Sequence, residues 1–388
     1  MRYFRFVILS CLLVTLAIFT VCIALSELDM LEAESNWTIF RGNASLSGFT
    51  DRSLPENPTL KWCFKNDVRT VASPIIYDGV AFTCDRKGII RGIDEMGQQC
   101  FEYDLQSPVE ASFIVHDSVL YVGRIDGILS AISLRTDKAL WHYETEGQIS
   151  ASPNIIVKNG EARVLVGSYD DNMYTFNAAN GKKLGQFETD YYINGATALW
   201  NDYMVFGGCD SWLRVINTQT GEATDSMELK AYVPASPAIM GDYAFVSDYA
   251  GNIYEIHLEN GKIKDHRMLL TVDKKDDDGG SVSIPAVTHD AVFIYTAERY
   301  VVCINRSDGT ERWRKMLKGI TGEASPLVCR DKLLVCTKDG HVSILNTKTG
   351  EELWHYEVGE QIIASPAVLE GSFYILTSRG KLFYFAEK

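Results

Sequence analysis

The sequence predicts an all-β chain folded as an eight-bladed β-propeller of four-stranded blades. Three observations predict it. The phrase Ala-Ser-Pro, intact or degenerate, returns eight times with a period near 40 residues. Each copy opens the same succession of short apolar runs separated by polar turns. Outside the N-terminal segment, no long window has helical periodicity.

Intact copies stand at Ala72-Ser73-Pro74, Ala151-Ser152-Pro153, Ala235-Ser236-Pro237, Ala324-Ser325-Pro326 and Ala364-Ser365-Pro366. Ala111-Ser112-Phe113, Gly195-Ala196-Thr197 and Ser283-Ile284-Pro285 fill the gaps. The middle residues fall at 73, 112, 152, 196, 236, 284, 325 and 365, in steps of 39, 40, 44, 40, 48, 41 and 40. After each start come a short apolar run, a turn such as Tyr77-Asp78-Gly79, and a second run such as VLYVG at 119–123. A charged turn leads to a third run with period-two alternation, such as IYEIH at 253–257. A Gly-rich turn and a run centred on an aromatic complete the unit. β-Branched and aromatic runs bounded by Gly, Asp, Asn and Pro are strands. Four strands every 40 residues make a propeller blade, and a closed ring of blades leaves no sheet face uncovered.

Taken from the N-terminus, the first element stands apart. Arg2 and Arg5 precede Phe6–Leu25, twenty residues without a charge. At helical rise that stretch spans about 30 Å, the thickness of bilayer hydrocarbon. Residues 1–26 therefore read either as an uncleaved signal anchor held by residues 6–25 or as a cleaved signal peptide. Both readings export the rest of the chain, to a periplasmic or extracellular location. Residues 27–59 form a lead-in, and residues 60–388 form the propeller. The last unit stops at KLFYFAEK after its third strand, while LKWCF at 60–64 precedes the first unit without a partner. The strand at 60–64 is expected beside residues 381–385, completing the last blade.

The aromatics keep a fixed offset. Eleven residues separate Trp62 from Ser73, Phe101 from Ser112, Trp141 from Ser152 and Trp354 from Ser365, and twelve separate Trp313 from Ser325. One offset implies one recurring contact, with Trp62, Phe101, Trp141, Trp313 and Trp354 docked between neighbouring blades. The units around Gly185, Asp225 and Asp265 lack the aromatic, so that arc is expected to hold together less tightly.

Composition excludes several functions. The formal charge is −14 and no stripe of Lys and Arg is present, which argues against nucleic acid as a partner. Nine cysteines include no CxxC, and the seven beyond residue 26 read as buried thiols. The seven histidines are scattered, without HxH or HExxH, so no metal ligand set is expected. No Gly-x-Ser-x-Gly or P-loop is present.

The phrase TGEELWHYEVGEQIIASPAV resembles the tryptophan-docking repeat of the PQQ-like, quinoprotein-type eight-bladed propellers. WTIFRGNASLSGFTD at 37–51 resembles the lead-in found before many such bacterial propellers. The resemblance covers roughly residues 37–388. It implies the fold, and it leaves two classes of function open. One is a quinoprotein dehydrogenase, whose cofactor sits near the axis with a vicinal Cys-Cys disulfide, a Trp platform and a Ca²⁺ ion. This chain has no Cys-Cys pair, and none of those residues can be carried over. The other class is a non-enzymatic propeller; among its members is the B subunit of the outer-membrane β-barrel assembly machine, similar in length.

The expected function is thus a non-catalytic exported scaffold, without cofactor, that binds a protein partner in the cell envelope or an envelope ligand. The alternatives are a PQQ-dependent dehydrogenase and a membrane-tethered extracellular ligand sensor. The partner-binding face is assigned to the turns between second and third strands, at Arg86, Arg124, Asp170, Asp210, Asp248, Arg299, Lys338 and Arg379. The acidic insertion at 273–280, with Asp276, Asp277 and Asp278, is expected to border that face. Its adjacent acids miss the alternating order of a Ca²⁺ loop.

Overall fold

The computed structural model describes residues 36–271, 283–296, 299–319 and 324–388. The signal or anchor at 1–26 and the acidic insertion at 273–280 lie outside them. Among the described residues there are eight sheets and no α-helix. Each sheet is an antiparallel meander. The first comprises Ile75–Tyr77, Val80–Cys84, Ile89–Ile93 and Gln99–Asp104. The eighth comprises Ala367–Leu369, Ser372–Leu376, Lys381–Glu387 and, from the other end of the chain, Pro58–Lys65. In that last pair Leu60 faces Phe385 and Phe64 faces Leu382. Blades are numbered below in this order.

The strands follow their burial. A second strand such as Val119–Gly123 is buried along nearly its whole length, because a neighbouring blade covers each of its faces. An outermost strand such as Glu352–Glu357 alternates exposed and half-buried residues. The apolar clusters lie between blades: Phe82 and Ile90 of blade 1 pack with Phe113 and Leu120 of blade 2. Each such fully buried side chain contributes about 1.5–3 kcal/mol.

The serine of the repeat joins blade to blade. The backbone N–H of Ser73 donates to Ser112 Oγ at 2.8 Å, that of Ser112 to Ser152 Oγ at 3.0 Å, and that of Ala196 to Ser236 Oγ at 2.8 Å. Ile284 N–H donates to Ser325 Oγ, Ser325 N–H to Ser365 Oγ and Ser365 N–H to Ser73 Oγ, each at 2.9–3.0 Å. Blades 4 and 6 carry Ala196 and Ile284 at this position and so offer no hydroxyl to blades 3 and 5.

A second link runs along the rim. The indole N–H groups of Trp62, Trp141 and Trp313 donate to the carbonyls of Glu95, Ala178 and Thr347 in the next blade, at 2.8–2.9 Å. Each ring lies on a turn glycine with positive φ: Gly97, Gly181 and Gly350. A Cβ at those glycines would come within 2.5–2.9 Å of the indole. Trp354 faces blade 8, where the chain ends replace that turn, and packs instead on Phe373 and Phe385 at 5.8 and 5.5 Å. Phe101 has no N–H to donate and meets Phe82 edge-on at 5.6 Å. All five aromatics are half-buried rather than fully buried.

The arc without aromatics, expected to hold together less tightly, is bridged by polar groups. Arg163 donates to Thr218 O at 3.1 Å between blades 3 and 4. Asp225 accepts from Ile263 N–H at 2.9 Å between blades 4 and 5. In blade 5 the strand register places Arg267, not Asp265, at the docking position opposite Glu255. Arg267 there donates to Arg306 O of blade 6, as the tryptophans do elsewhere.

The lead-in enters the ring. Trp37, Thr38, Ala44, Ser45, Ser47 and Gly48 present their carbonyls to the amides of Ile76, Val115, Leu199, Ile239, Val287 and Val328, at 2.7–2.9 Å. Each of these amides lies three residues after the middle residue of its unit. Asn154 Nδ2 reaches Ala44 O at 2.8 Å, and Arg52 Nη1 reaches Val368 O at 2.6 Å, so all eight inner strands are met in ring order. Phe49–Thr50 pairs in parallel with Leu327–Cys329 and gives blade 7 a fifth strand. Arg41 is fully buried and donates to the carbonyls of Leu46, Pro285 and Pro326 at 2.9, 2.7 and 3.4 Å. Burial pulls its pKa down to about 9, against a smaller opposing effect of Tyr295.

Two outcomes follow for stability. Gly181→Ala and Gly221→Ala both force a side chain into positive φ, but a Cβ at Gly221 meets nothing within 4 Å. Urea unfolding should therefore show about 1 kcal/mol lost at Gly221 and about 3 kcal/mol at Gly181, with Trp141→Ala losing about the same as the latter. Ser365→Ala strands the buried amide of Ser325 and should lose about 1–2 kcal/mol in the same measurement.

Candidate functional site

The turns between second and third strands of blades 1, 5, 7 and 8 share one device, whereas blades 2, 3 and 4 use Asp126, Asp170 and Asp210, two residues further on, as the acceptor. The side-chain oxygen of the first turn residue accepts the amide four residues on: Asp85 from Ile89 at 3.1 Å, Asp248 from Asn252 at 2.9 Å, Thr337 from His341 and Thr377 from Lys381 at 3.1 Å. The next residue then donates its amide to the carbonyl of the residue four before the middle of its own unit. Thus Arg86 pairs with Arg69 at 2.8 Å, Cys209 with Tyr192 at 3.0 Å, Tyr249 with Tyr232 at 2.9 Å and Ser378 with Gln361 at 2.7 Å. One face of the ring is therefore a repeating pair of positions, and its chemistry changes by sector.

The residues expected on that face divide. Asp248 is fully buried and accepts from Asn252 Nδ2 at 2.7 Å and Tyr254 Oη at 3.0 Å; it shapes its turn and offers no carboxylate to a partner. Asp210 pairs with Arg214 at 2.6 Å, with both side chains under a tenth exposed. Asp170 accepts from Tyr174 Oη at 2.8 Å and from Glu146 N–H at 2.9 Å. Arg124 is held by Asp126. Arg299 is exposed, one residue beyond a segment that is not described. Asp276, Asp277 and Asp278 lie outside the described residues.

Arg86, Lys338 and Arg379 come together. With Arg69, which the sequence reading did not single out, they line a cavity of about 710 Å³ at the mouth of the central channel. Val71, Ser150, Asn194 and Ile363 form its wall, each two residues before the middle of its unit. Arg86 is ion-paired with Glu110, while its Nε is buried without a partner among the described residues.

The opposite arc is aromatic, and sequence reasoning missed it. Tyr169 stacks on Tyr192 with ring centroids 4.9 Å apart, and Tyr232 stacks on Tyr249 at 4.4 Å. Tyr191, 50% exposed, packs on Tyr192, 40% exposed. The signal was available: Tyr192 and Tyr232 each stand four residues before the middle residue of consecutive units. Counting from the serine toward the N-terminus would have found them.

Neither Cys209 nor Cys303 is activated as a thiolate. Burial raises the Cys209 thiol pKa, and Asp210 raises it further. Burial likewise pushes Cys303 up to about 12. All seven described cysteines are free; Cys84, Cys303, Cys329 and Cys336 are buried, and Cys100 is exposed. Among the described residues no group of three His, Cys, Asp or Glu is placed to hold a metal ion. Nor is any helix there long and apolar enough to cross a membrane.

Comparison with known proteins places this geometry. A family model described as outer membrane protein assembly factor BamB matches residues 86–282 and 271–387. The outer membrane protein assembly factor BamB of Shewanella oneidensis is 21% identical over 341 residues, covering 80% of this chain and 83% of that protein. The crystal structure of BamB from Moraxella catarrhalis superposes with a TM-score of 0.71 at 18% identity, covering 85% of this chain and 99% of that one. The quinohemoprotein alcohol dehydrogenase ADH-IIG of Pseudomonas putida is 28% identical over 155 residues, only 34% of this chain and 21% of that protein. Its solved structure shares the fold, with a TM-score of 0.73 at 14% identity, over 91% of this chain and 80% of that one.

Asp85 supplies a pH dependence. Its burial favours the neutral acid, but hydrogen bonds from Arg91 at 2.5 Å, from Asn66 and from the amides of Ile89 and Lys87 outweigh that and hold its pKa below the ordinary value. A carboxyl depressed in the folded state contributes stability above its unfolded pKa of about 3.9 and loses it as pH falls through the folded value. Thermal unfolding from pH 6 to pH 2 should therefore show Asp85→Asn less stable at pH 6, with the difference from wild type narrowing below about pH 4.

Proposed function

This chain belongs to the outer membrane protein assembly factor BamB family, and from that premise we propose that it is a non-catalytic propeller scaffold in the cell envelope. It holds a protein partner on the face made by the turns between second and third strands. The observation that carries this reading is the family match across nearly the whole ring, from residue 86 to residue 387. The geometry supports it. Exposed Tyr191 and Tyr192 offer rigid aromatic anchors of the kind that dominate protein interfaces, with the charged turns beside them as a polar rim. Export through the apolar segment at 6–25, as a cleaved signal or a retained anchor, is part of the same reading. So is closure of the ring by the strand at 60–64.

The second reading, a quinone-dependent dehydrogenase, is favoured by the partial likeness to ADH-IIG. The residues present do not fit that cofactor set: the chain has no adjacent cysteines, and the axis at the level of the inner strands is occupied by the lead-in and Arg41. Purified protein mixed with the quinone and Ca²⁺ should reduce no electron-acceptor dye after gel filtration; retained quinone absorbance with turnover would favour the enzyme.

The partner reading is tested in intact cells with a photo-crosslinking amino acid in place of Tyr192, and in a control in place of Lys348 on the opposite face. A discrete adduct to one envelope protein from position 192 alone is expected. Equal adducts from both positions, or none from either, would reject the face.

A further inference from the structure

We propose that the channel mouth on blades 7, 8 and 1 is a binding site for a small phosphate-bearing molecule, such as a phosphomonoester or a pyrophosphate. Among the described residues, four cations, Arg69, Arg86, Lys338 and Arg379, line this cavity with one carboxylate, Glu110. The contrast with the rest of the molecule is large, because the chain as a whole carries −14. Like charges gathered in a concave site repel one another and focus potential, so the arrangement favours a multivalent anion.

The cations are brought together by backbone bonds as well as by sequence. Arg86 N–H donates to Arg69 O at 2.8 Å, Ser378 N–H, beside Arg379, donates to Gln361 O at 2.7 Å, and Thr70 N–H donates to Ser378 O at 2.9 Å. These bonds tie the turns of blades 8 and 1 into one rim. Glu110 neutralises only part of the group through Arg86, and the buried Nε of the same guanidinium is left without a partner among the described residues. Planar guanidinium forks match tetrahedral oxyanions, and a phosphate concentrates two charges in a volume where a carboxylate brings one.

The size and shape of the site select a small ligand. The lead-in crosses every inner strand five residues beyond the wall positions, about 16 Å deeper at strand rise. A ligand therefore enters and leaves by the same mouth rather than threading the ring. The cavity of about 710 Å³ is larger than phosphate itself, and Val71, Ile363 and Tyr169 give an organic remainder an apolar wall. Arg41, buried and bonded to three carbonyls among the described residues, adds a further cation on the inner side of the ring.

The crosslinking position borders this cavity, because Tyr192 stacks on Tyr169 of its wall, but the proposal is tested separately from the partner reading, since the cation variants leave Tyr192 in place. Isothermal titration of the purified propeller with inorganic pyrophosphate at low salt tests it. Binding that weakens as NaCl is added is expected, and the double variant Lys338→Met/Arg379→Gln should lose about tenfold or more in affinity. The control Lys182→Met/Lys348→Met, which removes the same charge from turns between third and fourth strands on the other face, should bind as wild type. Thermal unfolding of both variants checks that they are folded. No heat of binding, or equal loss in both double variants, would overturn the site. Citrate binding as tightly as pyrophosphate would overturn its assignment to phosphate.

Discussion

The hydroxyl of the repeat serine is where one blade takes hold of the next, and the ring depends on it. A lone blade exposes two apolar faces and cannot persist in water. The faces supply most of the free energy of packing, but apolar contact is not directional and tolerates sliding. Where the following unit carries serine, the bond from the middle-residue amide to its hydroxyl sets the radial position at which neighbouring sheets meet. It closes between Ser365 and Ser73, nearly three hundred residues apart in the chain, with the same geometry as between Ser73 and Ser112.

At the rim the same problem is solved twice. At Trp62, Trp141 and Trp313 an indole lies on a glycine of the next turn and donates to a carbonyl beside it. Where the aromatic is missing, Arg163 and Arg267 deliver a donor to the equivalent carbonyl, and Asp225 accepts an amide instead. The polar version buries less apolar surface and leaves charged groups near solvent. One arc of the propeller is thus held mainly by area and the other by directed bonds. Glu255 shows the consequence: buried between blades 5 and 6, it is matched by Arg267 and Arg306, and Arg306 lies over the ring of Phe245 at 4.8 Å.

The exposed face has an asymmetry of its own. At or beside equivalent turn positions, blades 3 to 5 carry tyrosines and blades 7, 8 and 1 carry Lys338, Arg379, Arg69 and Arg86. The backbone bonds beneath them are the same in both sectors, so side chains at these positions are free to vary without disturbing the ring. That freedom lets a symmetric scaffold present an apolar arc and a basic funnel side by side.

Much of this was legible in the sequence, because a contact repeated in every unit leaves a period. Blade number, strand order, the serine links and the docking offset all derive from side chains that recur at fixed spacing, and the gaps at Ala196 and Ile284 are written in the degenerate copies. Trp62 and Trp141 could be assigned from their offset alone. Tertiary structure decided the rest. The circuit of residues 37–53 has no period, since it meets most units through backbone carbonyls that any residue would supply, with Arg41 and Arg52 adding side-chain bonds at single places. Asp248 and Asp210 look like surface charge in sequence, but Asn252 and Arg214 turn them inward. Arg69, Arg86, Lys338 and Arg379 are neighbours only because the ring joins its first and last blades, and no local pattern in a chain can encode a closeness that closure creates.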